Sequence, residues 1–380
     1  KSGLSEKMMK REKVAVNLLW LRPGKVGGTE FFTRNLFDGF LELEEKFMLV
    51  LICTENNVDS FRHYTEDDRF EILTVPISNV SIGKRIIWQD LHFNSFLRKN
   101  GIKFCFSPVY DRPYFNGGIK YACVIHDIQA VHFPEYHPFH EVAYSKLIWH
   151  ADKVRNVFNI ATTNYTKEDM VSHFKFKPDG IKVIYISVPE EDKMKASYGD
   201  MEEHCDIKDI RSKYGLTDNE PYYYTIAQMI PHKNMPTLVK TMALIRQMHP
   251  ELPQKLLVTG ISGNGTEEFD KMVGEAGVSD NIIKTGFVSN AEKVTLYKNC
   301  EEFLFPSVFE GFGMTPIEAM RLGATVVTTN CTSIPEVTQG ICNYVDDPYS
   351  PEKWIETMTH AINRDKELDL SKYDEKSLSY

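Results

Sequence analysis

The chain has 380 residues, of which 42% are hydrophobic, so it is long enough for two domains that each bury a core. Its net charge of −9 argues against nucleic-acid binding over a broad basic surface. The charge is uneven, because residues 1–185 hold 25 Lys and Arg against 22 Asp and Glu, whereas the remainder holds 19 against 31. A solvated surface explains this most simply; the alternative is that the first half contacts an anionic acceptor or a membrane surface.

The seven cysteines are odd in number, lack C-x-x-C spacing and lie mostly in apolar runs such as "VLICT". This pattern favours buried free thiols in a reducing compartment. No apolar run reaches the roughly 18 residues that span a bilayer, and the opening "KSGLSEKMMKREK" lacks a signal-peptide core. We therefore expect a cytoplasmic enzyme, with peripheral attachment at the inner face of the membrane left open.

The first half of the chain alternates strand-like and helical patterns. It opens with the apolar run "VAVNLLWL" at residues 14–21, typical of a central parallel strand, followed by a glycine-bearing loop and a helix over 29–43. Further strands are predicted at 48–53, 72–75, 104–107, 121–126, 160–163 and 183–186, and helices at 84–99, 141–157 and 166–174.

A polar, acidic stretch at residues 187–206 separates this half from a second alternating series. Its strands are predicted at 222–228, 255–260, 281–286, 302–307 and 324–329, and its helices at 235–248, 267–275, 290–299 and 351–362. The pattern predicts two Rossmann-like, doubly wound α/β domains, residues 1–187 and 188–363, joined near 187–220. Ligands bind outside the carboxyl ends of such strands, so we expect strand-end residues of both domains to face one central cleft.

Glycines mark the first strand end, in "LRPGKVGGTEFF". Gly27 and Gly28 precede a helix, where glycine permits a close approach of the backbone and the helix N-terminus suits an anion. The spacing is not G-x-G-x-x-G, so the dinucleotide-binding fingerprint is absent, and a simple tight turn is the alternative interpretation.

A histidine marks another strand end, in "CVIHDIQAVHFPEY". His126 follows an apolar strand, where it can hydrogen-bond a sugar hydroxyl or polarise a reacting group; a structural histidine is the alternative. His132 and His137 lie nearby, but H-D-x4-H lacks the three ligands of a catalytic zinc site, so we expect no metal.

A lysine marks the third strand end, in "YTIAQMIPHKNMPTLVK". Lys233 lies just ahead of a helix, where a positive charge opposes the helix dipole unless an anion lies between them. Local rules tend to fail at functional sites, so the position favours an anion-binding residue, with a surface lysine as the alternative.

The stretch "FPSVFEGFGMTPIEAM" places Glu310 and Glu318 eight positions apart. Thr315, Pro316 and Glu318 fit a capping box, which gives Glu318 a structural interpretation beside a ligand-binding one. Glu310 precedes two glycines at a strand end and has no structural explanation. Eight helical residues span about 12 Å, beyond the separation of a glycosidase carboxylate pair. The glutamates better suit two ends of an elongated ligand whose phosphates lie at the helix N-terminus, as in a nucleotide sugar.

Six stretches, in order along the chain, resemble the family-four retaining glycosyltransferases, and above all their bacterial mannosyltransferases of surface-polysaccharide biosynthesis. They are "GGTEFFTRNL", "VIHDIQAVHFPEY", "ATTNYTKEDM", "KVIYISV", "IPHKN" and "FPSVFEGFGMTPIEAMRLGATVVTTNCTSIPEV". The last, with its E-x7-E motif, is the most specific. The resemblance covers most of the chain and implies a GT-B fold, with two Rossmann-like domains facing a central cleft and a last helix, about 364–380, that crosses back to the first domain.

The resemblance also implies residue roles. Glu310 would bind hydroxyls of the transferred sugar, Glu318 the ribose, and Lys233 the diphosphate leaving group, where negative charge grows in the transition state. His126 would contact the sugar near its anomeric carbon, and Gly27 and Gly28 would approach donor phosphate or acceptor. Backbone N–H groups of five residues would contact the sugar and diphosphate: Gly311, Phe312, Gly313, Met314 and Thr315. The family needs no metal or other cofactor.

Two departures weaken the resemblance. Gln228 occupies the position of a usual arginine among the donor-binding residues, so about 1–3 kcal/mol of charge-assisted phosphate contact is missing unless another cation compensates. In addition, "VIYISVP" lacks the Asn-Gly usually found after that strand.

The leading hypothesis is a metal-independent hexosyltransferase that moves a sugar from a nucleotide diphosphate sugar to a glycan or lipid-linked acceptor. GDP-mannose is the first expectation for the donor, with a UDP-sugar or dTDP-rhamnose next. The alternatives are a catalytically silent GT-B subunit that binds nucleotide or a partner, and another GT-B enzyme such as a nucleotide-sugar epimerase or a phosphorylase.

Overall fold

The computed structural model of the protein describes residues 11–44, 46–155, 157–188, 205–261, 265–286 and 288–363. The chain divides into two compact units between Ile184 and Tyr185, whereas we predicted the boundary after residue 187. The helix expected at about 364–380 and most of the polar stretch at 187–206 lie outside the described residues. In the described ranges, no helix is both long and apolar enough to cross a membrane.

The first unit is built on one parallel sheet. Its strands are β1 (Lys13–Asn17), β2 (Met48–Thr54), β3 (Phe70–Val75), β4 (Phe104–Ser107), β5 (Lys120–Ile125), β6 (Phe158–Ala161) and β7 (Ile181–Val183). The order across the sheet is β3-β2-β1-β4-β5-β6-β7. The chain therefore runs outward in both directions from the pair β1–β4, which makes the sheet doubly wound.

Helices cover both faces of this sheet. They are α1 (Gly28–Glu42), α2 (Ile82–Trp88), α3 (Asn94–Lys99), α4 (Gln129–His132), α5 (Phe139–Val154) and α6 (Asn164–Phe174). A π-helical turn, Gln89–Phe93, joins α2 to α3, so the helix predicted at 84–99 is continuous but not uniform.

The central strands are apolar on both faces because each face packs against helices. Ala15 in β1 belongs to a buried cluster with Phe93 and Leu97. Its neighbour Val16 belongs to a second cluster with Phe37 on α1. This alternation follows from the two-residue period of a strand.

The first strand is shorter than the apolar run that predicted it, since β1 ends at Asn17. The Asn17 side-chain oxygen accepts the backbone N–H of Leu19 at 3.2 Å, and the Trp20 indole N–H donates to the Asn17 carbonyl at 3.0 Å. These bonds turn the chain out of the sheet. Leu18, Leu19 and Leu21 nevertheless stay fully buried, which explains why the apolar pattern continues past the strand.

The second unit has its own parallel sheet. Its strands are β8 (Tyr222–Ile226), β9 (Lys255–Thr259), β10 (Ile282–Gly286), β11 (Glu302–Phe305), β12 (Val326–Thr329) and β13 (Asn343–Val345). The order is β10-β9-β8-β11-β12-β13, so β8 and β11 lie at the switch point. Its helices are α7 (Ile207–Lys213), α8 (Met235–Met248), α9 (Gly265–Glu275), α10 (Asn290–Asn299), α11 (Met314–Arg321), α12 (Ile334–Val337) and α13 (Pro351–Asn363).

The prediction of two Rossmann-like, doubly wound α/β domains is confirmed, and the helices at 235–248 and 290–299 have the predicted bounds. Short elements were missed, because three to seven residues show too little of a period: α7, α12 and β13. The region expected to join the two domains contains α7, whose N-terminus is capped by the Asp206 carboxylate.

All seven cysteines are free, and four of them are buried: Cys53, Cys105, Cys123 and Cys342. Burial raises the pKa of the Cys53 thiol to about 12, which keeps it protonated near neutral pH. These four thiols are therefore core residues, as the apolar runs around them indicate.

Candidate functional site

Two loops of the second unit meet at the switch point of its sheet. Strands β8 and β11 are paired neighbours, so the loops that leave their carboxyl ends run side by side. The backbone N–H of Val308 donates to the His232 carbonyl at 2.8 Å, and the Ser307 hydroxyl donates to the same carbonyl at 3.2 Å. These bonds hold loop 227–234 against loop 306–313, at the edge where doubly wound sheets bind ligands.

Lys233 and Glu310 face each other across these loops. Nζ of Lys233 lies 2.6 Å from Oε1 of Glu310 and 5.7 Å from the centroid of the Phe305 ring. The two side chains are 21% and 14% exposed, so a ligand can reach both from solvent. The Glu310 carboxylate supplies an anion close to the start of α8, which offsets the unfavourable position of the lysine. The structure thus brings into one ion pair two residues that we expected on different groups of a ligand.

The backbone at Glu310 is braced by the loop after β12. The Glu310 N–H donates to the Thr332 hydroxyl at 3.0 Å, and the Ser333 hydroxyl donates to the carbonyls of Glu310 and Phe312 at 2.9 Å and 3.0 Å. Thr332 itself has a left-handed backbone, with φ of +52°. Sequence reasoning assigned no role to Thr332 and Ser333, although they lie within the last stretch of the resemblance.

Helix α11 begins at Met314, and the capping box predicted at Thr315 and Glu318 is wrong. The N-cap residue is Gly313, which has φ of +90° and no side-chain cap in the described part of the chain. Glycine permits this left-handed turn, so the helix starts earlier than the Thr-Pro pair indicates. Among the described residues, no side chain therefore caps the first N–H groups of α11, around Gly313, Met314 and Thr315, and these groups are suited to an anion.

Glu318 lies inside α11, not at its start, and it is held by two residues of α10. Its Oε2 lies 3.2 Å from Nζ of Lys293 and 3.4 Å from the hydroxyl of Tyr297. Only 12% of the Glu318 side chain is exposed. Glu318 does not cap the helix, and the positive charge of Lys293 offsets the negative charge of its carboxylate. Neither Lys293 nor Tyr297 was singled out from the sequence, because their helix carries no strand-end signal.

The other predicted residues of this unit lie along the same two loops and at the start of α11. Gln228 is exposed just after β8, and its carbonyl accepts the N–H of Ile230 at 2.8 Å. Gly311 and Phe312 are buried, whereas Met314 and Thr315 are partly exposed. Gln228, in the place where the resemblance expects an arginine, thus lies on the same loop as Lys233 with an exposed side chain.

In the first unit, His126 follows β5 and is positioned by the chain after β4. Its Nε2 donates to the Pro108 carbonyl at 2.8 Å, and the Phe32 ring packs edge-on at 5.1 Å between centroids. Burial lowers the pKa of His126 to about 4. Since a carbonyl only accepts, Nε2 carries the proton, and neutral His126 presents Nδ1 as an acceptor. This side chain can accept a hydrogen bond from a hydroxyl but is a poor proton donor at neutral pH.

Gly27 and Gly28 form the start of α1, close to the residue that contacts His126. Gly27 is the N-cap residue, with φ of +58° and ψ of −130°, and Gly28 is the first helical residue. A Cβ at Gly27 would meet no atom within 4 Å, so the backbone conformation and not crowding accounts for this glycine. Phe32, one turn into α1, packs on His126, which relates the glycine turn to the β5 strand end.

Comparisons with known proteins agree with this architecture. Residues 206–377 match the family described as Glycosyl transferases group 1. Among solved structures, the chain is similar to WaaG, a glycosyltransferase involved in lipopolysaccharide biosynthesis, with a TM-score of 0.66, 15% identity and coverage of 92% and 90% of the two chains. It is also similar to Anabaena HepE in complex with UDP, with a TM-score of 0.67, 16% identity and coverage of 95% and 92%. The fold is therefore an α/β fold of the GT-B type.

Three proteins with similar sequences are named as mannosyltransferases. Serotype-specific mannosyltransferase WbdA of Escherichia coli is 33% identical over 132 residues, which are 34% of this chain and 16% of that protein. O-antigen chain mannosyltransferase B of Escherichia coli is 27% identical over 224 residues, 59% of this chain and 56% of that protein. O-antigen chain mannosyltransferase RfbU of Salmonella typhimurium is 23% identical over 330 residues, 83% of each. The matched segments span about a sixth of WbdA and about half of mannosyltransferase B. The family match and these names together support a glycosyltransferase.

Proposed function

We propose that the chain is a retaining glycosyltransferase. It moves a sugar, mannose as the first candidate, from a nucleotide diphosphate sugar to a glycan or lipid-linked acceptor of surface-polysaccharide biosynthesis. The support is the family match over residues 206–377, together with relatives named as mannosyltransferases. We also propose that the first unit contacts an anionic acceptor or the membrane surface, because basic residues outnumber acidic ones over 1–185.

The Lys233–Glu310 pair is the observation that carries the proposal. An ammonium and a carboxylate 2.6 Å apart at the switch point supply a cation for a diphosphate and a charged acceptor for sugar hydroxyls. When a diphosphate binds, it competes with Glu310 for Lys233 and releases the carboxylate to accept hydrogen bonds from sugar hydroxyls. Lys233 then offsets the charge that grows on the leaving diphosphate, where preorganised cations lower the barrier most.

The remaining roles follow the chemistry of each group. The uncapped N-terminus of α11 suits the diphosphate, whose charge offsets the partial positive charge of a helix start. The Glu318 carboxylate suits the two donor hydroxyls of a ribose. Neutral His126 suits a hydroxyl that donates to Nδ1, and the Gly27 turn suits close approach by donor phosphate or acceptor. We assign neither a protein nucleophile nor a metal to the reaction.

GDP-mannose is the proposed donor because of the mannosyltransferase names, and a UDP-sugar is the next candidate. One similar structure is described as HepE in complex with UDP-glucose. At 17% identity that similarity concerns the fold, so it keeps UDP among the candidates without favouring it.

A thermal-shift panel of GDP, UDP and dTDP, and of their sugars, tests the proposal. A ligand that binds only the folded state raises the melting temperature with ln(1 + [L]/Kd), so one base should stabilise the chain more than the others. Lys233→Met should remove most of the shift caused by a nucleoside diphosphate. If no nucleotide shifts the wild-type chain, the glycosyltransferase proposal is wrong.

Hydrolysis of the donor distinguishes an enzyme from a silent subunit, the interpretation that Gln228 leaves open. A glycosyltransferase releases nucleoside diphosphate slowly when water replaces the acceptor, whereas a subunit that only binds nucleotide releases none. Release should continue in the presence of a chelator, since no metal is assigned to the reaction.

A further inference from the structure

A cluster of three metal-ligand side chains lies in the first unit and includes none of the residues assigned to the reaction. His132 belongs to α4, and Asp169 and His173 belong to α6. Nε2 of His132 lies 2.7 Å from Oδ2 of Asp169, and Nδ1 of His173 lies 2.9 Å from Oδ1 of the same carboxylate. The expectation of no metal was based on the H-D-x4-H segment alone, whereas Asp169 and His173 lie about forty residues after His132 in the chain.

The geometry of the cluster suits a small cation. One ligand atom from each residue can be chosen so that all three lie within 4.8 Å of one another. Asp169 and His173 are four residues apart on one helix, so their side chains share a face. Tetrahedral ligands about 2.0–2.2 Å from a Zn²⁺ ion lie roughly 3.3 Å apart, close to the 2.7 Å and 2.9 Å of the two nitrogen–oxygen pairs here.

Burial and charge also fit. The Asp169 side chain is only 7% exposed, whereas His132 and His173 are 27% and 39% exposed, so the cluster opens to solvent on the histidine side. Two imidazoles and one carboxylate are the three-ligand set of many zinc sites that keep a position for water. The single negative charge of Asp169 partly offsets the two positive charges of a dication.

We propose that His132, Asp169 and His173 bind a first-row transition dication, with Zn²⁺ as the reference ion. The ion joins α4 to α6. Thr166, in the first turn of α6, already donates to the His126 carbonyl at 3.1 Å, so α6 then holds segment 126–132 at both ends. The metal is a structural brace for this segment. It takes no part in the proposed transfer, and the site is independent of whether that transfer occurs.

Zinc titration of the full chain tests the site. The chain is first dialysed against a chelator and then titrated with Zn²⁺ in competition with a chromophoric chelator. His132→Gln and His173→Gln should each weaken binding by more than about tenfold, the size of effect expected when a zinc site is disturbed. His249→Gln is the matched control, because Nδ1 of His249 lies 3.0 Å from Oε1 of Glu251 in a simple surface pair. It should leave zinc affinity unchanged.

Two further measurements keep the test decisive. Co²⁺ bound in place of Zn²⁺ should show d–d bands without the charge-transfer band of a thiolate ligand, which excludes binding by cysteines. Circular dichroism of the metal-free variants should match that of the wild type, and His173→Gln is the safer variant because its side chain is the most exposed of the three. Absence of zinc binding, wild-type zinc affinity in both histidine variants, or a thiolate band would each overturn the proposal.

Discussion

Nζ of Lys233 lies 2.6 Å from Oε1 of Glu310, although 77 residues separate them in the chain. The contact exists because β8 and β11 are neighbours at the switch point, so a residue that follows one strand meets a residue that follows the other. The pair is partly exposed, and the backbone of Glu310 is hydrogen-bonded to the hydroxyls of Thr332 and Ser333. The backbone of Glu310 is thus held by hydrogen bonds that are independent of its ion pair with Lys233.

Removing the Glu310 charge should stop turnover without loss of the fold. In Glu310→Gln the amide no longer competes for Lys233, while the sugar loses a charged acceptor. We expect kcat to fall by at least about 100-fold, which corresponds to about 2.7 kcal/mol of transition-state stabilisation. Nucleoside diphosphate affinity, measured by calorimetry, should stay the same or rise.

Asp270→Asn is the control for this change. Asp270 forms a comparable contact with Lys284, 2.5 Å apart, on the surface of the same unit. It should leave turnover unchanged, because exposed pairs contribute little. Unchanged turnover in Glu310→Gln would exclude the role assigned to its carboxylate.

Glu318→Gln should weaken nucleotide binding. The substitution keeps the side-chain volume but leaves Lys293 facing an amide and removes a charged acceptor for ribose hydroxyls. A hydrogen bond to a charged group contributes about 1.5–3 kcal/mol, so the Kd of the nucleoside diphosphate should rise at least about tenfold. Tyr297→Phe removes only the long 3.4 Å contact and should change the Kd little. If Glu318→Gln lowers stability but not affinity, the carboxylate is structural.

Two glycine-to-alanine substitutions should change stability in opposite directions. Gly313 has φ of +90°, and an added Cβ would meet Glu310 atoms only at 3.8 Å, so the cost of Gly313→Ala comes from the backbone and not from a clash. We expect a loss of about 1–2 kcal/mol. Gly274→Ala lies within α9, where a Cβ meets nothing within 4 Å, and should gain about 0.5–1 kcal/mol. Urea denaturation measures both; a neutral Gly313→Ala would mean that α11 starts differently.

His126 should make stability depend on pH. Burial lowers its pKa from 6.5 to about 4, so between these values the unfolded chain binds more protons than the folded one. The contribution of His126 to the free energy of unfolding is therefore fully present above pH 6.5. It falls by up to about 3 kcal/mol as the pH falls to 4. The free energy of unfolding, measured by urea denaturation at several pH values in that range, should change less with pH in His126→Asn than in the wild type. His150→Asn, exposed on α5, is the control; an equal dependence of stability on pH in His126→Asn and the wild type would contradict the lowered pKa of His126.

The sequence by itself determined the α/β class, most strand and helix positions, and the strand-end clusters at Gly27, His126, Lys233 and Glu310. These features are local: apolar runs, helical periods and glycine positions report what a short segment can form on its own. Even so, the start of α11 was misplaced, because the freedom of Gly313 outweighed the cap signal of Thr315.

The tertiary structure alone decided which distant residues meet. Strand order is set by packing between segments far apart in sequence, and no local pattern records that β8 lies beside β11 or α4 beside α6. Hence the Lys233–Glu310 pair, the hold of Lys293 on Glu318 and the contact of Asp169 with His132 and His173 were all invisible in the sequence. Apart from the pair Asp169–His173, which shares α6, each is a side-chain contact between different elements, whose neighbourhood the tertiary structure sets.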